Sequence, residues 1–91
     1  MDKETRLRFR QVQRIIDERV QAIDIVCWIW HLVSNLVKAY RMYDESETPE
    51  SVSLARWYLQ DSRSDLTSYL HKQGFTPSEI LEVIRLAQMA R

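Results

Sequence analysis

The sequence predicts an all-α fold, a helical bundle formed by one long N-terminal helix and two or three shorter helices and completed by dimerisation. Apolar residues recur at helical spacing along most of the 91 residues, and no stretch alternates in the manner of a strand. The single Gly and the two Pro stand where helices are expected to begin or end. A chain of this length with 45% apolar residues is expected to form one globular domain, residues 1–91.

The first predicted helix runs from about residue 3 to residue 42. Its apolar residues follow a 3-4-3-4 spacing, which places them on one face of a helix and favours left-handed helix packing. The row consists of Phe9, Val12, Ile16, Ile23, Val26, Trp30, Val33, Val37 and Tyr40. Arg19 occupies the one charged position in this row, and we interpret it as lying at the edge of a long packed seam.

The length of this helix favours a homodimer. Forty helical residues span about 60 Å, whereas a compact chain of this size has a diameter of only about 30 Å. Because no Gly or Pro lies between residues 1 and 48, a break in the helix has no local cause. We therefore expect two long helices to pair, in antiparallel orientation, through a seam of Phe9, Val12, Ile16, Ile23, Val26, Trp30, Val33 and Val37.

Two further helices are predicted at residues 49–73 and 77–90. Thr48 followed by Pro49 is a helix start, and residues 76–79 (Thr-Pro-Ser-Glu) form a capping box after Gly74. Five consecutive polar residues at 61–65 are poor helix formers, so a kink or a split is expected there.

Composition argues against several function classes. Thirteen basic and thirteen acidic residues give no net charge, and hence no global field to attract nucleic acid or an anionic membrane. One Gly leaves no phosphate-binding glycine loop, and one Cys leaves no disulfide or cysteine-cluster metal site, so we expect no cofactor, no metal and no enzymatic activity. The charged N-terminus and the lack of a long apolar run predict a cytoplasmic protein, whose small size suggests a bacterial or phage origin.

Large aromatic residues on polar helix faces indicate a protein-binding surface. Trp28 lies in the middle of the polar stripe of the first helix, close to His31 and Asn35, and Trp57 faces away from the apolar stripe of the second helix. We predict that these four residues bind a larger protein, for which the chain acts as a regulator, adaptor or inhibitor, with the acidic loop at 44–50 as a second contact. The alternative, that another helix of the same fold covers both Trp residues, is equally compatible with the pattern.

A nucleic-acid-binding regulator is the alternative function. Arg6, Arg10 and Arg14 share one helical face and could follow a phosphate backbone. Residues 66–83 also resemble a helix-turn-helix loosely, although the outward side chains of the second helix there make a poor base reader. For both features an ordinary solvated helix face or corner is the favoured interpretation.

Cys27 and His31 stand four residues apart, with Asp24 three residues before Cys27. This spacing could supply some of the residues of a metal or thiol site, but the sequence offers no partners to complete it. Since free cysteines beside apolar stripes usually act as small hydrophobic residues, we interpret Cys27 as a packing residue.

Overall fold

The computed structural model describes residues 2–91 and confirms the all-α class. Its helices are α1 (Lys3–Asp17), α2 (Ile23–Glu45), α3 (Pro49–Lys72) and α4 (Pro77–Met89), and no strand occurs in this part of the chain. A three-residue connection folds α2 and α3 into an antiparallel hairpin, while α1 packs mainly on α4. The hairpin exposes one long side of α2 and α3, which carries the site described below.

The predicted continuous helix from residue 3 to residue 42 is wrong, because the chain leaves the helical conformation between Asp17 and Ile23. No Gly or Pro ends α1. Instead, Val20 is buried in the core, and Arg19 donates two hydrogen bonds of 3.0 Å to the carboxylate of Glu79 on α4. The molecule is 42 Å along its longest axis, so tertiary contacts fold back a segment that would span about 60 Å as one helix.

Local capping fixes the starts of the other helices. The side chains of Thr48 and Thr76 each accept a hydrogen bond from the backbone N–H three residues later. The side chains of Ser51 and Glu79 in turn accept a hydrogen bond from the backbone N–H of the capping residue. Gly74 ends the α3 corner with a φ of 91°, a left-handed conformation that favours glycine.

Helix α3 does not split at residues 61–65. Ser62 is buried, and the four other polar residues of this stretch are exposed. Helix propensity is a weak preference, and packing of the small Ser62 side chain against the core overrides it here.

The predicted dimer seam fills the core of a single chain. Seven of its eight residues are buried in the core or pack against it, and only Ile23, 79% exposed, does not. Trp30 connects α2 to α1: its indole N–H donates to Gln13 at 2.6 Å, and its ring meets Phe9 edge-on at 5.7 Å. Since the chain buries these side chains itself, they supply no reason for a second copy.

Candidate protein-binding face

The antiparallel pair α2 and α3 presents an open side that we call the α2–α3 face. Between the two helices runs a groove of about 330 Å³, to which Trp28 and Leu32 contribute from α2 and Asp65, Ser68 and Lys72 from α3. A shared groove shows that Trp28 lies level with the last turns of α3. The other residues of this face are assigned to it by their helical spacing from Trp28 on α2 and from Ser68 on α3.

Trp28 dominates the α2 side of the face. Its side chain is 49% exposed, and its ring stacks on His31 with centroids 4.9 Å apart and an angle of 28° between the planes. Asn35 lies two turns further along the same stripe and is half-buried. The stacking holds the indole against the helix surface, which reduces the conformational entropy that a binding partner would have to remove.

Trp57 and Leu54 form the α3 side. They are 65% and 61% exposed, and Trp57 borders a shallow hollow with Asp61 and Ser64. Trp57 and Ser68 are eleven residues apart, about three helical turns, so they point in nearly the same direction. Because Ser68 lines the Trp28 groove, Trp57 lies on the outward ridge of α3 next to that groove.

The four residues predicted to bind a partner, Trp28, His31, Asn35 and Trp57, are therefore brought to one side of the hairpin. No helix of the described chain covers the two Trp side chains, because the opposite sides of α2 and α3 supply the core. That core includes Ile29, Val33 and Leu36 of α2 and Ala55 and Leu66 of α3.

Two acidic side chains and one basic side chain of α3 lie near the exposed aromatic residues. Asp61 and Asp65 are exposed on α3, and neither has a hydrogen-bond or ion-pair partner among residues 2–91. In the acidic loop, by contrast, Asp44 pairs with Arg91 at 3.2 Å, and Arg91 also lies 5.3 Å from the centre of the Tyr40 ring. The charges of the face thus lie on α3 and have both signs: Asp61 borders the Trp57 hollow, and Asp65 and Lys72 line the Trp28 groove.

The helical spacing of the sequence did not identify Met42, Asp61 and Asp65 as residues of the binding face. Met42 is 40% exposed and lies two turns after Asn35 on the same stripe of α2. The helical stripe through Trp57 and Ser68 could have indicated Asp61 as a residue of the face, because Asp61 lies one turn from Trp57. We include Met42, Leu54, Asp61 and Asp65 with the four predicted residues in the α2–α3 face.

The arginine row lies elsewhere, on the outer side of α1. Arg6, Arg10 and Arg14 are all exposed, and Lys3 extends the row by one turn. Arg10 and Arg14 border a hollow that also contains Asp17 and Glu18, which offset part of the positive charge.

Cys27 is exposed, so its interpretation as a packing residue is wrong. It lies on the side of α2 that no other helix covers, although the apolar stripe runs next to it. His31 stacks on Trp28, and no group of three possible metal ligands forms within the described chain.

Comparisons with protein-family models, curated proteins and solved structures find no match. Among residues 2–91, no helix has the length and apolar character needed to cross a membrane.

Proposed function

We propose that this chain is a non-enzymatic interaction module that binds a larger protein through the α2–α3 face and thereby acts as a regulator, adaptor or inhibitor. The observation that carries the proposal is the placement of two exposed Trp side chains on one side of a hairpin whose core is filled by other residues. Trp is strongly enriched among the residues that dominate binding energy at protein interfaces.

The face also indicates the chemistry of the partner. Trp28 and Trp57 would enter apolar pockets, and Asp61, Asp65 and Lys72 favour a partner rim that carries both basic and acidic side chains. The proposal includes a cytoplasmic location, where the exposed Cys27 thiol stays reduced.

The test compares matched variants in capture of partners from the source cells. The double variant Trp28→Ala/Trp57→Ala removes both anchors, and Leu7→Ala/Ile23→Ala removes two exposed apolar residues elsewhere. Circular dichroism and thermal unfolding establish that both variants fold. We expect one set of proteins to be captured by the wild type and the control and lost with the Trp variant, whereas equal capture by all three would refute the site.

Nucleic-acid binding is the second candidate, favoured by the exposure of Lys3, Arg6, Arg10 and Arg14 along one stripe of α1. Binding of this type weakens steeply with salt, because phosphate contacts release counterions. The test is a mobility-shift titration of duplex and single strands at low and physiological salt with the wild type and Arg10→Gln/Arg14→Gln. Lack of a shift at low salt would remove this candidate.

A further inference from the structure

A second groove lies between α3 and α4, on the other flank of α3. It has a volume of about 410 Å³. Ile80 and Ile84 form its floor and are only 5% and 6% exposed, while Leu81, at 61% exposed, rises beside them. Arg63 and His71 line the α3 side, two turns apart.

Among the residues that line this groove, Arg63 carries a positive charge and His71 adds an imidazole. Helical spacing places Arg56, Gln60, Arg63, Thr67 and His71 on the α3 ridge and Pro77, Leu81, Ile84 and Gln88 on the α4 ridge, so neither ridge carries a carboxylate. Neither Arg63 nor His71 has a hydrogen-bond or ion-pair partner within the part of the chain that the structure describes.

The acidic residues of α4 lie on its other flank and are already paired. Glu79 accepts from Arg19, and Glu82 pairs with Arg85 one turn later. The α3–α4 groove thus differs from the α2–α3 face: Asp65 and Lys72 line the groove of that face, whereas Arg63 lies beside the apolar floor of the α3–α4 groove with no carboxylate in the lining.

We propose that the α3–α4 groove binds an acidic amphipathic helix of a protein partner. Apolar side chains of that helix, spaced three and four residues apart, would pack on Leu81, Ile80 and Ile84, and its carboxylates would face Arg63 and His71. This inference does not rest on the α2–α3 face. Together, the two sites would make the chain an adaptor that joins two proteins.

The test uses a fluorescein-labelled peptide of about 15 residues, long enough for a helix to be populated. It carries Leu at helical spacing and Glu at the polar positions, and a control peptide carries Lys in place of every Glu. Fluorescence anisotropy measures binding to the full chain and to two matched variants. Leu81→Ala removes the exposed side chain of the groove, and Leu54→Ala removes an equally exposed leucine from the α2–α3 face.

We expect saturable binding of the acidic peptide and little binding of the basic one. Leu81→Ala should weaken the acidic peptide about tenfold, as expected for the loss of one buried leucine side chain. Leu54→Ala should leave it unchanged, and Arg63→Glu should weaken it while Arg41→Glu on α2 does not. Equal binding of both peptides, a larger effect of Leu54→Ala than of Leu81→Ala, or no saturable binding of the acidic peptide would each overturn the proposal.

Discussion

Glu79 performs two tasks at the start of α4. Its carboxylate accepts the backbone N–H of Thr76 at 2.8 Å, which completes the capping box, and it accepts two bonds from Arg19 at the α1–α2 bend. The hydrogen bonds from Arg19, followed by that from Thr76, lower the pKa of Glu79 below its usual value of about 4.5. One side chain therefore links the bend between α1 and α2 to the helix that packs against α1.

Glu79→Gln should weaken the pH dependence of stability. Because the pKa of Glu79 is lowered by folding, its charge stabilises the native state fully above the pKa of the unfolded chain, and this contribution is lost as the pH falls through the folded pKa. Gln can still cap Thr76 but cannot pair as an ion with Arg19. Urea unfolding should show the variant to be less stable at pH 7 and closer to the wild type at pH 3. A difference that stays constant with pH would contradict the ion pair.

Ala22 is the N-cap of α2 and offers no side-chain oxygen to the first turn. Its extended backbone conformation suits a capping residue, so Ala22→Asp should stabilise the protein by about 1 kcal/mol. Gln21→Asp adds the same charge next to the cap position and serves as the control. If the segment were one continuous helix, Ala22→Asp would place a poor helix former in its interior and lower the thermal unfolding temperature instead.

At the scale of elements, the row of apolar residues with 3-4-3-4 spacing is divided between two helices, α1 and α2. Ile16 lies near the end of α1 and is fully buried, whereas Ile23 begins α2 and is largely exposed, although both fall in the same sequence pattern. The bend between them turns Ile23 away from the core that Ile16 helps to form.

Ile16→Ala should therefore destabilise the chain by about 2–5 kcal/mol, since it leaves a cavity in the core. Ile23→Ala should change stability by no more than about 0.5 kcal/mol. Chemical denaturation of the two variants measures the difference directly. Similar, large losses for both would mean that Ile23 is buried in solution, as the paired-helix interpretation requires.

The helical class and the starts of α3 and α4 could be predicted because capping boxes, Pro and Gly act locally. The bend after Asp17 could not, because the 3-4-3-4 spacing continues in phase across it, and the contacts found there, the burial of Val20 and the pairing of Arg19 with Glu79, are tertiary. The polar stripe identified Trp28 and Trp57 as outward-facing. Whether another helix covers them depends on how α1 and α4 pack, which helical spacing does not encode.

At the scale of the whole molecule, a formal net charge of zero conceals a division around α3. Two Trp side chains lie on one side of the hairpin, with Asp65 and Lys72 in the groove there, and Arg63 borders an apolar groove on the other side. Helices α1 and α4 complete the core, and both the α2–α3 face and the α3–α4 groove remain open to solvent. The proposed contacts with other proteins would use these two open surfaces.

Hydroxyl-radical footprinting of the chain, alone and with its captured partner, tests the central claim most directly. Trp28, Trp57 and Met42 are exposed, readily oxidised residues of the α2–α3 face, and Met89, 45% exposed on α4, is a reference outside it. The account predicts that the partner lowers oxidation of Trp28, Trp57 and Met42 and leaves Met89 unchanged. Unchanged oxidation of both Trp residues in the complex would show that the partner binds another surface and would contradict the account.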